Sequence, residues 1–241
     1  MIFKVKGTNN FMDNLPKHIA IIPDGNRRWA KEKGLPNFEG HKKGFNQAIE
    51  IGKKTRELGI KFLTIWAFST ENWKRTKKEI SYLMDLYYQM IEINIQDALK
   101  EKIRIIHLGR KDRISNKLRL KIMEAEEKTK NFDKYYLAIA LDYGGRDEII
   151  RTINKINQSK TSIKNFSEEK INQFLDTKDL PYPSPDLVIR TSGEIRTSGF
   201  MIWQAAYSEW IFYPKYFPDF TPFDLEKCIE EYKKRKRRFG V

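Results

Sequence analysis

One cysteine, Cys228, stands in 241 residues, so no internal disulfide can form. It falls in an amphipathic pattern with Leu225 and Ile229, and no helix start or adjacent base lowers its pKa. It therefore reads as a core residue and not as a nucleophile. Long apolar runs are also lacking. The longest, around Phe62 to Phe68 and Leu137 to Leu141, fall far short of the ~18 residues that cross a bilayer. The opening stretch, MIFKVKGTNNFMDNLPKH, holds neither an apolar segment of signal-peptide length nor a small-residue cleavage site, so a cytoplasmic location is expected. No G-x-x-x-x-G-K-[ST] occurs, and Gly144-Gly145 lacks the third glycine of a dinucleotide loop, which argues against those nucleotide-binding classes. There is no internal repeat, and the linker-like pieces Asn157 to Lys164 and Leu180 to Pro185 do not divide the chain into separately foldable halves. Residues 1–241 are expected to form a single domain, with 1–17 as an amino-terminal extension.

What is abundant is positive charge. Lys and Arg total 46 against 32 acids, a net charge of +14, which favours nucleic acid, an acidic membrane surface or a phosphorylated small substrate as partner. Charge alone does not choose among them. The run Lys233 to Arg238 motivates the nucleic-acid alternative, although such runs are usually solvated helix ends.

Apolar, branched runs predict strands at His18 to Ile22, Lys61 to Phe68, Ile103 to Leu108, Tyr135 to Leu141, Asp186 to Arg190 and Trp210 to Tyr213. Helical patterns lie between most of them: Gly40 to Leu58, Lys77 to Glu101, Ser115 to Lys130, Arg146 to Ile156 and Ser167 to Leu175. A last helix, Phe223 to Arg237, opens on Thr221 as N-cap with Pro222 at the first helical position. The alternation predicts an α/β fold, a mostly parallel six-stranded central sheet flanked by helices, with ligands bound beyond the carboxyl ends of the strands.

Three strand ends carry anion-binding chemistry. After the first strand, Asp24-Gly25-Asn26 forms a turn, and Arg27 and Arg28 open a helix whose free N–H groups would join the guanidinium groups on an anion. Asp24 beside them makes sense if a divalent cation bridges carboxylate and phosphate, as hard oxygen ligands do for Mg2+. After the second strand come Ser69, Thr70, Glu71, Asn72, Trp73 and Arg75. After the strand ending at Arg190 come Thr191, Ser192, Arg196, Thr197 and Ser198 around Gly193 and Gly199, a candidate second phosphate cradle, and Glu209 adds a carboxylate downstream.

With these motifs in order, HIAIIPDGNRRWA, GHKKG, AFSTENW, YGGR, RTSGEIR, WQAAYSE and RRFG, the sequence resembles the cis-prenyltransferases, the undecaprenyl diphosphate synthase family, over almost its whole length. The resemblance implies a homodimer that adds isopentenyl diphosphate units in cis geometry to an allylic prenyl diphosphate. It implies Mg2+ as cofactor, an apolar tunnel for the prenyl chain, a peripheral membrane contact for product release, and no nucleic acid. On this chain Asp24 would bind Mg2+ and assist departure of the allylic diphosphate. Gly25, Asn26, Arg27 and Arg28 would hold that diphosphate, with His41 and Arg75 nearby. Trp29 and Trp73 would border the prenyl groups, and Asn72 stands where the family places the group that helps remove the proton. Arg190, Arg196, Thr197 and Ser198 would bind isopentenyl diphosphate, and Glu209 would supply a second metal-linked carboxylate.

The aspartate-rich pairs of trans-prenyltransferases are missing, and Asp24 with Arg238-Phe239-Gly240 argues against a catalytically silent subunit. Four positions depart from the family pattern: Asn37, Asp142, Gly199, and Tyr135 near the tunnel floor. A medium-chain product of undecaprenyl class is expected, from farnesyl or geranylgeranyl diphosphate. PDGNRRW with RTSGE leans toward the archaeal branch and the latter starter. The alternative is a short-chain cis-prenyl diphosphate synthase.

Overall fold

The computed structural model describes residues 15–159 and 166–235. Residues 1–14 of the amino-terminal extension and the terminal Arg238-Phe239-Gly240 lie outside them.

The elements follow in the order β1 (His18–Ile22), α1 (Asn26–Glu32), α2 (Asn37–Glu57), β2 (Phe62–Ser69), α3 (Lys77–Lys100), β3 (Ile103–Leu108), α4 (Asn116–Thr129), β4 (Tyr135–Tyr143), α5 (Gly145–Gln158), α6 (Glu168–Asn172), β5 (Leu187–Arg190), β6 (Glu209–Phe212) and α7 (Pro222–Lys234). The capping chemistry read from sequence is present. Thr221 accepts from Asp224 N–H, and Asp224 Oδ2 accepts from Thr221 N–H at 2.9 Å.

The six strands run β3-β4-β2-β1-β5-β6, and every pair is parallel. A parallel sheet must be covered on both faces, and β1 shows it, with all five residues buried. Ile19 and Ile21 point to one face and pack with Ile51 of α2 and Leu225 and Ile229 of α7. Ala20 and Ile22 point to the other, toward Trp66, Phe200 and Met201. Cys228 is buried in the first cluster, its thiol pushed up to about 12 by burial. Among the described residues no helix is long and apolar enough to cross a membrane.

β1 is flanked by β2 on one side and β5 on the other, so the chain reverses its direction of travel across the sheet there. That switch point opens a crevice beyond the carboxyl ends of β1, β2 and β5.

Candidate active site

β1 delivers Asp24 into the crevice through the Pro23-Asp24-Gly25 turn. Gly25 has φ 103°, and a Cβ there would stand 2.5 Å from the Tyr216 ring, so the turn is closed to other residues. α1 starts at once on Asn26, Arg27 and Arg28. Across the switch point β5 delivers Arg190, whose side chain is 5% exposed. Arg190 Nη2 donates to Asp24 Oδ2 at 2.9 Å, and Nη1 donates to Ser198 Oγ at 2.7 Å and Arg196 O at 2.6 Å. Arg28 Nη2 donates to Asp24 Oδ1 at 3.2 Å and Ser192 Oγ at 2.8 Å, while Nη1 meets Glu194 Oε1 at 2.5 Å.

Two of the three strand-end segments read separately from the sequence thus join through Asp24. Burial alone would raise the Asp24 carboxyl, but the hydrogen bond and charge of Arg190, with Arg28 added, hold it below the usual carboxylate range. It is ionised at neutral pH. Ser192 and Ser198 take positive φ values of 78° and 51°, strain of the kind that collects at binding loops. Asn26 Oδ1 and Arg190 Nε are buried without a hydrogen-bond partner.

From β2, Ser69 leads into a 3-10 turn over Thr70–Lys74. Asn72 Oδ1 accepts from Ser69 N–H at 3.1 Å, which shapes the turn. Arg75 Nη1 donates to Glu79 Oε1 at 3.2 Å, and His41 Nε2 lies 3.3 Å from the same oxygen, tying α2 to α3. Burial, with Arg75 beside it, lowers the His41 pKa against the opposing pull of Glu79, so the ring is neutral at pH 7.

Two connected spaces meet at Asp24. An open groove of about 810 Å3 is lined by Gly25, Asn26, Arg27, Arg28, Lys31, Asn37, His41 and Arg75. A deeper cavity of about 460 Å3 has Asp24, Asn26, His41, Ser69, Asn72, Arg75, Arg190 and Ser198 at its polar end. Its body, between the sheet and α2 and α3, is lined by apolar side chains such as Phe45, Leu83, Tyr87, Ile91, Leu137 and Ile139, and it reaches Tyr135 and Arg56. Measured along β4 from Leu141 to Tyr135, it runs roughly 20 Å at the rise of a strand. The arrangement suits a molecule with a phosphorylated head and an apolar tail.

Not every expected residue reaches these spaces. Trp29 is buried behind α1 and Trp73 packs edge-on against Phe68; neither lines the cavity or the groove. Thr70 and Glu71 bond each other on the outside of their turn. Arg196 is 58% exposed and paired with Glu194, and Thr197 accepts at the turn below Phe200. Glu209 stands apart from these residues within the chain. It pairs with Leu187 in register while Arg190 pairs with Phe212, so it sits at the amino end of β6, about 10 Å from the strand ends that carry Asp24. There it receives Arg235 Nη1 at 2.8 Å.

The roles of two groups escape sequence reasoning. Glu79, the hub for Arg27, His41 and Arg75, stands three residues after the N-cap Thr76, so T-x-x-E reads as a capping box. Asp142, fully buried with φ 53°, accepts Trp73 Nε1 at 2.8 Å and two bonds from Arg113, fastening the Ser69–Arg75 turn to the loop after β3. Its departure from the family's asparagine adds a charge for Arg113. Gly199 has φ 79° and open space around it, a backbone asparagine also tolerates.

The geometry has counterparts in known proteins. The family model described as "Putative undecaprenyl diphosphate synthase" matches residues 22–240. An isoprenyl transferase of Thermotoga maritima is 48% identical over 228 residues, covering 94% of this chain and 97% of that protein. The ditrans,polycis-undecaprenyl-diphosphate synthase ((2E,6E)-farnesyl-diphosphate specific) of Micrococcus luteus is 40% identical over 240 residues, covering 98% and 96%. Among solved structures, lavandulyl diphosphate synthase from Lavandula x intermedia, in complex with dimethylallyl diphosphate, superposes with a TM-score of 0.90 at 36% identity, covering 94% of this chain and 99% of that one.

Proposed function

The chain belongs to the undecaprenyl diphosphate synthase family of cis-prenyltransferases, and from that premise we propose how its own residues elongate a prenyl diphosphate and what it makes. The observation that carries the proposal is the apolar cavity with Asp24, Arg190 and Arg75 at its polar end. The allylic diphosphate lies at Asn26, Arg27 and Arg28 with its tail down the cavity, and isopentenyl diphosphate takes the Arg190 and Ser198 side. The unpartnered Arg190 Nε and the strained serines support that assignment.

In each turn the allylic C1–O bond breaks, its electron pair leaving with the diphosphate, and the isopentenyl double bond supplies the new bond to C1. A proton is then lost from isopentenyl C2. The developing charge on the leaving diphosphate is met by Arg27, Arg28 and the N–H groups at the start of α1. Asn72 is no base; its oxygen already serves Ser69, leaving its NH2 to orient a phosphate oxygen that takes the proton. Water is kept from the cation-like centre by the apolar wall.

The donors fit Mg2+. Asp24 is a single ionised carboxylate beside the place for a diphosphate, and this ion commonly combines one or two carboxylates with substrate phosphate oxygens. When bound, it would neutralise leaving-group charge.

The farnesyl-specific relative supports farnesyl diphosphate as starter and a product of undecaprenyl class, against the lean toward geranylgeranyl diphosphate. A shorter product is the second reading, favoured by Tyr135 at the far end of the cavity. A homodimer is supported by exposed apolar residues on α5 and the nearby turns, among them Ile150 at 59% and Tyr207 at 82%. Release of a lipid product calls for a peripheral membrane contact. The test is incubation with Mg2+, labelled isopentenyl diphosphate and geranyl, farnesyl or geranylgeranyl diphosphate, with products resolved by length. Failure to elongate any starter overturns the proposal.

A further inference from the structure

We propose that the lip formed by the α1–α2 turn and the first turns of α2 and α3 docks on an anionic lipid bilayer. The inference rests on the prenyl-elongation reading only in supplying a reason for the contact. Every residue from Lys33 to Phe38 is exposed, and the turn puts Leu35 and Phe38 at its tip, 41% and 43% exposed. Phe38 leans on Tyr82 of α3 with ring centroids 5.6 Å apart, so both helix starts share one surface. Around this tip stand exposed Lys31, Lys33, Lys42, Lys43, Lys74, Lys77 and Lys78. Glu79 is turned inward onto His41 and Arg75, and Glu32 is held by Tyr216 Oη at 2.5 Å. Glu39 and Glu71 offset only part of the lysine charge.

An apolar tip ringed by lysine is the combination that seats a protein at the headgroup boundary of an anionic membrane. Steering of diphosphate substrates would explain the lysines, but it leaves the Leu35 and Phe38 tip without a purpose. The lip is also continuous with the site, because Lys31, Leu35 and Pro36 line the groove that ends at Asp24. A growing lipid leaving the cavity would meet the bilayer there without crossing open water.

The test is sedimentation of the full chain with vesicles of phosphatidylglycerol and phosphatidylcholine, or of phosphatidylcholine alone. Phe38→Ser and the double variant Lys42→Gln/Lys43→Gln are compared with the parent, and elongation is measured separately without vesicles. The parent should bind only the anionic vesicles and be released by salt. With roughly a fivefold loss per lysine, the double variant should partition more than tenfold more weakly. Phe38→Ser should weaken binding severalfold, and lipid-free elongation should stay unchanged in both. Absent binding to anionic vesicles, equal binding to phosphatidylcholine, or variants that bind like the parent would each overturn the proposal. So would a lysine variant that loses only salt-sensitive elongation, which would assign these charges to substrate steering. Vesicle binding without any prenyl transfer would sink the elongation reading alone.

Discussion

Asp24 joins Arg28 and Arg190, and its replacement has separable consequences. Asp24→Asn keeps the shape and removes the charge. It is expected to lower kcat/KM by about 100-fold or more, the scale of losing one preorganised electrostatic partner. Asp24→Ala also strands the buried Arg190 and should cost about 1–3 kcal/mol of stability, discounted because the carboxylate is partly exposed. Isopentenyl incorporation and urea unfolding measure the two effects. Because the folded pKa of Asp24 is depressed, its charge persists down through the ordinary carboxylate range. A pH profile of kcat/KM should therefore show no acid limb from this group near pH 5 or above. At Asp142, asparagine keeps the acceptor for Trp73 and the left-handed backbone, so Asp142→Asn should cost a few-fold in kcat/KM. Asp142→Ala leaves Trp73 and Arg113 without their partner and should cost about 2–3 kcal/mol, read by the same unfolding measurement.

Elements are held in place by contacts as close as backbone allows. α2 crosses the start of α1 at Gly40, where an added Cβ would stand 2.0 Å from Asn26 O. Gly40→Ala must push the helices apart, costing about 1–3 kcal/mol and displacing Asn26 from the groove, so unfolding midpoint and kcat/KM should fall together. At the amino end of β1, His18 lies 2.9 Å from Tyr182 O and 2.8 Å from Thr64 Oγ1, and burial lowers its pKa to about 4. The unfolded chain binds this proton near its ordinary 6.5, so the neutral ring's contribution is complete above that value and is lost as pH falls toward 4. On the order of 3 kcal/mol is at stake. His107, lowered to about 4 as well, adds in the same window. In His18→Leu the drop in urea midpoint between pH 7 and 5 should be smaller than in the parent, although the variant starts less stable.

At the scale of the molecule, the sheet and α2 and α3 enclose a cavity whose lining reaches Tyr135 at the start of β4. Tyr135→Ala should lengthen the product distribution, resolved by chain length on a labelled incubation. An unchanged distribution would assign the floor to Arg56 and its neighbours. Much of this architecture was legible. The six strands fall on the expected runs within a residue or two, because buried parallel strands read as unbroken apolar stretches. The crevice position of Asp24, Asn72 and Arg190 was legible too, because each follows or closes such an apolar stretch at its carboxyl end. The distance of Glu209 from Asp24 within the chain was not legible, because a carboxylate in a motif says nothing about which end of a strand it occupies, and here it opens β6 instead of following it.

The sequence by itself determined the alternation of strand and helix, the caps, the excess of positive charge and the residue types at three strand ends, since propensity, period and charge are local properties. Tertiary structure decided which of those residues meet. Strand order placed β5 beside β1, bringing Arg190 within 2.9 Å of Asp24 across 166 positions of chain. It also turned Glu79 inward, engaged Trp73 with Asp142, and left Glu209 at the amino end of β6. Those outcomes depend on register and crossover, which no local pattern encodes.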